Sequence, residues 1–249
     1  MISKNKIKFI NSLKLKKNRD INNLFIIEGT KIYFELINQK KYKLIDAYCT
    51  DTWVKKNNTN TDYNLVTDNE LKKISNQKNP EGILAIVEKT EPKIDKHKIL
   101  NSFSIVLDDI QDPGNLGTII RTADWFGIEN IFCSLNSVDV FNPKVIQATK
   151  GSIFRVNVFY VDLFEFLKEY NKKIKFYAAF LDGENIYKTK FDKKGILIFG
   201  NESKGISKKV SEFKIDKIKI PNFSNKKEKA ESLNISISTA IFLSEILNN

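Results

Sequence analysis

Short, nearly continuous apolar runs alternate along this chain with longer stretches whose apolar residues recur at helical spacing. In the second half, SIVLD (104–108), NIFCSL (130–135), KFYAAF (175–180), GILIFG (195–200) and IKIP (218–221) predict strands. Helical patterns separate them near Leu116–Phe126, Pro143–Lys150, Leu163–Tyr170 and Ser232–Leu247. Unbroken apolar strands with intervening helices predict a parallel sheet covered on both faces. The first half repeats the alternation on a smaller scale. LFIIEG (24–29), IDAYCT (45–50), NLVT (64–67) and GILAIVEK (82–89) predict strands, and TKIYFELINQ places Ile32, Leu36 and Ile37 on one helical face. Thr67 and Glu70 have the spacing of a capping box, the Thr accepting from the backbone and the Glu reaching back.

Between the halves, Glu91–Asn101 is polar and charged and contains Pro92, which marks a domain boundary. The expected organisation is a small α/β domain over 1–92, a linker over 93–102 and a larger α/β domain over 103–249.

Charge adds a partner class. The 249 residues include 41 basic and 30 acidic ones, a formal charge of +11, which favours a polyanion. A composition rich in Lys, Asn and Ile through biased base content is the plainer alternative. Lys4, Lys6, Lys8, Lys14, Lys16, Lys17 and Arg19 all precede the first acid, Asp20, and this excess predicts a phosphate-tracking arm or helix. Cys49 and Cys133 are far apart in apolar runs and predict buried free thiols. His97 is the only histidine and sits in the linker, so neither a transition-metal site nor His-based acid–base chemistry is expected. The N-terminus lacks the apolar core of a secretory signal, and no apolar stretch reaches membrane-spanning length. A soluble protein of the reducing cytoplasm, with no membrane partner, is the expectation.

Three polar clusters follow predicted strands or open helices, the place where open α/β sheets bind ligands. The first is DPGNLGTIIRTADWFG (112–127), in which Gly114 and Gly117 bracket Asn115 and Arg121 follows on the helix. Asn115 is expected to cap that helix, and Arg121 either projects toward the crevice or pairs with Asp124. The second is ILIFGNESKGIS (196–207), with Asn201 and Glu202 at a strand end. Its glycine spacing imitates a phosphate-binding loop, but Ile206 stands where the lysine of such a loop is required. In the third, Pro221 ends a strand, the basic stretch NKKEK (225–229) follows, and Ser232-Leu233-Asn234 opens a helix. No GxGxxG follows any strand, so an ordinary dinucleotide-type cofactor loop is not supported.

In this order the three segments resemble the motifs of the SpoU (TrmH) family of RNA ribose 2′-O-methyltransferases, of the SPOUT class, from about Ser104 onward. The N-terminal part, through LFIIEGTKIYFEL and NPEGILAIVE, resembles the L30e-like substrate-binding domain often fused ahead of it. The resemblance implies an α/β fold: a C-terminal SPOUT α/β-knot, its parallel sheet covered by helices and threaded into a trefoil knot, plus the small L30e-like domain. It implies S-adenosyl-L-methionine as cofactor, bound around Gly200, Ile220 and Leu233, no metal, and RNA as partner, with rRNA favoured over tRNA. It carries family catalytic positions onto Asn115, Arg121, Glu202, Ser232 and Asn234, with Glu202 holding Arg121. It further implies a homodimer. Ser203 and Ser238 depart mildly from the family pattern, replacing a frequent glycine and a frequent alanine. A tRNA methylase, an antibiotic-resistance methylase and a non-catalytic RNA-binding or ribosome-assembly protein on the same scaffold remain the alternatives.

Overall fold

The computed structural model describes residues 2–57, 62–226, 228 and 230–248. Two compact units share the chain, residues 1–91 with 139–154, and residues 92–138 with 155–249. The chain runs α1 (Lys4–Ser12), α2 (Lys16–Asn22), β1 (Leu24–Glu28), α3 (Thr30–Ile37), β2 (Leu44–Cys49), α4 (Asp51–Asn57), β3 (Asn64–Leu65), α5 (Asp68–Ile74) and β4 (Ile83–Glu88) in the first unit. The second unit opens with α6 (Lys96–Asn101), β5 (Phe103–Leu107), α7 (Pro113–Trp125) and β6 (Asn130–Ser134). Helix α8 (Pro143–Thr149) belongs to the first unit. The second unit continues with β7 (Asn157–Val161), α9 (Leu163–Tyr170), β8 (Phe176–Asn185), β9 (Gly195–Phe199), α10 (Lys208–Ser211), β10 (Asp216–Lys219) and α11 (Ile235–Asn248).

The first unit is built on a four-stranded sheet of order β1-β4-β2-β3, in which β4 is antiparallel to β1 and β2, and β3 is parallel to β2. One core cluster joins Ile10 and Leu13 to Leu71 and Ile74 of α5 and to Ile26, Tyr48, Leu84 and Ile86 of the sheet. The Thr67–Glu70 capping box is formed. Ile7, Ile10 and Leu13, three residues apart, turn one side of the basic N-terminal segment inward, so the segment packs as helices and is not a free arm.

That packing changes the use of its charges. The Arg19 side chain is only 2% exposed. Its guanidinium donates to the Leu13 carbonyl at 3.0 Å, the Lys14 carbonyl at 2.8 Å and the Asp139 carboxylate at 2.5 Å. Lys6 pairs with Asp46 at 2.8 Å, and Lys14 donates to the Ser75 carbonyl at 3.1 Å. Arg19 is therefore a core residue, and the expected phosphate role does not extend to it. Asp139 and Phe141, whose ring centroid lies 4.7 Å from that of Phe25, tie residues 139–154 into the first unit. The sequence boundaries had left this stretch within 103–249.

The second unit holds a six-stranded sheet of order β10-β8-β9-β5-β6-β7, parallel throughout. Its central strands β5 and β9 are buried along their whole length. Successive side chains of a strand point to opposite faces. Ile198 joins α6, α9 and α10 through Ile99, Leu167 and Val210 on one face. Phe199 meets Phe242 of α11 on the other, with α7 packed beside α11. Strand β7 has no counterpart among the expected strands. It is an edge strand and mostly half-buried, although Val158 to Val161 form an unbroken apolar run. Both cysteines are free and buried, and burial pushes each thiol up to about 12, which keeps it protonated at neutral pH. Among the described residues no helix is long and apolar enough to cross a membrane.

Asp139→Ala would leave the Arg19 guanidinium buried without its carboxylate. We expect a loss on the order of 3 kcal/mol, the low end for removing one partner of a buried pair, read as a fall in the urea midpoint. Lys17→Ala, an exposed control on the same segment, should leave the midpoint within about 0.5 kcal/mol of wild type.

Candidate active site

The polar clusters meet at the carboxyl ends of β5, β9 and β10, within the second unit. Strand β5 ends at Leu107 and is followed by Asp108 and Asp109. The Asp108 N–H continues the ladder to the Phe199 carbonyl at 2.9 Å, and its buried carboxylate accepts from the Ser207 N–H at 2.8 Å. Asp109 takes a left-handed φ of 60°, a conformation that Asp tolerates better than most residues. Its carbonyl accepts from Asn201 Nδ2 at 2.8 Å.

After β9 the backbone doubles back on itself. Asn201 and Gly205 exchange two backbone hydrogen bonds, at 3.0 and 2.9 Å, and Asn201 Oδ1 accepts from the N–H groups of Ser203 and Lys204. A Cβ on Gly200 would lie 2.3 Å from the Gly205 carbonyl carbon and 2.4 Å from the Ile206 nitrogen, so glycine is required for this close approach. The loop holds Glu202 at its exposed tip.

Helix α7 starts at Pro113, with Asp112 as its cap: Asp112 Oδ1 accepts from the Asn115 N–H at 2.7 Å. The sequence had assigned the cap to Asn115. Relieved of that task, the Asn115 side chain spans two loops. Its Nδ2 donates to Glu202 Oε1 at 2.7 Å, and its Oδ1 accepts from Asn234 Nδ2 at 2.9 Å. Asn234 Oδ1 in turn accepts from the Ser236 N–H at 2.9 Å and its hydroxyl at 2.6 Å, at the opening of α11. Chemistry fixes the direction of this relay. A carboxylate only accepts, so Asn115 must present its amide nitrogen to Glu202 and its oxygen to Asn234. Asn234 must then turn its oxygen toward the helix N–H groups.

Three of the five expected catalytic positions, Asn115, Glu202 and Asn234, are thus joined by hydrogen bonds. Arg121 is exposed on α7 and makes no hydrogen bond or ion pair among the described residues. Glu202 does not hold it; the partner of Glu202 is Asn115, through Oε1. Asp124 does not hold it either, since that carboxylate grips Arg155 at 2.8 Å. Ser232 is exposed and precedes α11, which begins at Ile235 and not at Ser232 as its spacing suggested. Of the cofactor positions, Gly200 and Ile220 are half-buried, while Leu233 is 49% exposed and its backbone N–H and C=O have no partner among the described residues. Of the basic stretch NKKEK, Lys227 and Lys229 lie outside the described residues. Asp108, Asp109 and Asn201, which fold the two loops, carried one sequence signal: polar residues placed immediately after unbroken apolar runs.

An open parallel sheet with polar loops gathered at the carboxyl ends of neighbouring strands defines a ligand-binding α/β domain. The chain belongs to the SpoU rRNA methylase family, whose profile matches residues 102–244. Residues 4–85 match the MRM3-like substrate binding domain, in line with the expected substrate-binding unit ahead of the methylase. RlmP of Bacillus subtilis, a 23S rRNA (guanosine(2553)-2'-O)-methyltransferase, is 27% identical over 96% of this chain and 94% of its own length. A TrmH-family structure from Porphyromonas gingivalis is 34% identical, covers 99% of this chain and 98% of its own, and superimposes with a TM-score of 0.86. An AdoMet-bound rRNA methyltransferase from Sinorhizobium meliloti is 25% identical, covers 100% of this chain and 97% of its own, and has a TM-score of 0.83.

The direction of the relay can be tested by isosteric changes. Asn115→Asp sets a carboxylate against Glu202 and should destabilise the protein. Adding Glu202→Gln restores a donor opposite the new acceptor and should recover part of the loss. We expect a coupling on the order of 1 kcal/mol from the double-mutant cycle in urea unfolding, and strict additivity would show that the bond carries no energy.

Proposed function

We propose that this protein transfers the methyl group of S-adenosylmethionine to the 2′-hydroxyl of a ribose in RNA, with ribosomal RNA favoured, as in RlmP. The observation that carries the reading is the Asn234–Asn115–Glu202 relay in a SpoU domain, on a helix that also carries Arg121, whose guanidinium has no partner among the described residues. The reading includes a knotted path for the last strands and pairing of two copies as a homodimer, as the family resemblance implies, and the cytoplasmic setting expected from the sequence.

The residues present fit the cofactor. Leu233 offers an exposed apolar side chain beside unpaired backbone donor and acceptor groups, which suits the flat face and hydrogen-bonding edge of an adenine. Gly200 and Ile220, at the ends of β9 and β10, complete the cradle. When bound, S-adenosylmethionine supplies a methyl group made electrophilic by its positive sulfur. The protein must then position a hydroxyl, whose proton passes to solvent as the methyl group is taken up, and stabilise the charge that develops on its oxygen.

Arg121 serves the second need. A guanidinium stays protonated in proteins, so it acts by charge and not as the base, holding an adjacent phosphate and the developing alkoxide. Asn115 and Asn234 spend both ends of their amides on the relay, which makes them positioning residues. Glu202 keeps Oε2, and Ser232 its hydroxyl, for the ribose.

Arg121→Ala should slow single-turnover methyl transfer by ~10²-fold or more, the usual scale for one preorganised electrostatic contact. Arg121→Lys should rescue only in part, because a point charge lacks the planar fork. Cofactor affinity by calorimetry should stay constant in both. Transfer by Arg121→Ala at the wild-type rate under saturating RNA would remove Arg121 from the mechanism. Substituting Gly200 cannot test the cofactor cradle, since any side chain there collides with backbone. Leu233→Asp can: the side chain is half exposed, so the fold should hold while cofactor affinity falls at least about tenfold.

A further inference from the structure

In the first unit, α1 and α5 lie side by side. The Ile2 N–H donates to Glu70 Oε1 at 3.1 Å, and Asn11 Nδ2 donates to the Lys73 carbonyl at 2.9 Å. Ile10 of α1 and Leu71 and Ile74 of α5 point into one core cluster, which turns the opposite sides of both helices to solvent. Lys4 and Lys8 of α1 and Lys72 and Lys73 of α5 are all exposed there. None of the four side chains makes a hydrogen bond or ion pair among the described residues. Lys6, Lys14, Lys16 and Arg19 contrast with them, for each already has a partner. Lys4 and Lys8 are one helical turn apart, about 6 Å along the axis. Of the acids on or bonded to these helices, Glu70 is committed to the capping box and Asp46 of β2 to Lys6, Tyr48 and Asn64, while Asp68 stands in the first turn of α5.

We infer that this two-helix face docks the sugar–phosphate backbone of RNA, with Lys4, Lys8, Lys72 and Lys73 each taking a phosphate. The inference rests on the reading of the protein as an RNA methyltransferase and adds where the first unit grips the substrate. Four unneutralised ammonium groups on a rigid pair of helices complement a polyanion. A lipid surface is a poorer fit, because membrane-lying helices insert apolar side chains, and here Ile7, Phe9 and Ile10 pack against the core while Asn5 shares the exposed side. The face joins helices more than fifty residues apart in the chain.

The test uses the full chain and a fluorescently labelled RNA hairpin, with affinity measured across a range of KCl concentrations. Changing Lys4, Lys8, Lys72 and Lys73 together to Gln should weaken binding at least about tenfold. It should also flatten the slope of log affinity against log salt by about 0.7 to 0.9 for each phosphate no longer neutralised. A control changes Lys172, Lys173, Lys193 and Lys194 to Gln, the same loss of charge at the amino ends of β8 and β9, and should leave the slope nearly unchanged. The paired variants Lys4→Gln with Lys8→Gln, and Lys72→Gln with Lys73→Gln, should each give about half the effect. An unchanged slope in the quadruple variant, or an equal flattening in the control, overturns the inference. Capture by anionic phosphatidylserine vesicles with RNA affinity unaltered overturns it too. Methyl transfer by the wild type is scored separately. RNA binding that depends on these lysines without any transfer would sink the proposed reaction and spare the surface, whereas transfer with an unaltered slope would do the reverse.

Discussion

The backbone of Gly200 lies so close to that of Gly205 and Ile206 that one added carbon would fall 2.3 Å from its neighbour, and the rest of the site depends on that contact. It lets the chain leave the fully buried strand β9 and return within six residues. Asn201 secures the return from both sides, through its own backbone pairing with Gly205 and through its side chain on the Asp109 carbonyl. The loop therefore inherits the rigidity of the two central strands. Its tip delivers Glu202 to the start of α7, where Asp112 has taken over the capping and left Asn115 free to receive it. Moving the close approach by an ångström would break the Glu202–Asn115 bond, and with it the alignment of Asn234 and the opening of α11.

Much of this was legible in the sequence, and the reasons are physical. Strands β5, β6, β8, β9 and β10 announced themselves because a parallel sheet covered by helices needs both faces of each strand apolar. Their carboxyl ends could then be located, and polar residues immediately afterward marked the site. The family resemblance carried Asn115, Arg121, Glu202, Ser232 and Asn234 as a group, and the structure joins three of them directly. The mutual assignments were harder. Glu202 was expected to hold Arg121, and nothing in the spacing says that Asn115 faces it instead.

Long-range charge pairing was also hidden. Arg19 belongs to a run of basic residues that looks like solvated surface, yet its carboxylate partner lies 120 positions away. The Ile7, Ile10 and Leu13 spacing was visible and would have predicted a packed helix, but the lysines between them dominated the pattern. Burial of one arginine and exposure of its neighbours thus follow from which side of a short helix meets the core. Charge counting alone cannot distinguish the two.

Amides and the carboxylates of Asp108, Asp112 and Glu202 hold the site's framework through N–H donors, and Arg121 is not used in building it. Arg121, six residues along α7 from Asn115, has no ion pair among the described residues. Had Glu202 held it, an incoming phosphate would have had to displace a carboxylate before gaining any charge–charge energy, and the exchange would have yielded little net attraction. Glu202 is paired with Asn115 instead, and the guanidinium can meet a phosphate at no such cost. Arg155 shows the contrast on the same unit: paired with Asp124, its charge is already spent within the protein. The amide that looked like a cap is the partner Glu202 takes in place of the arginine.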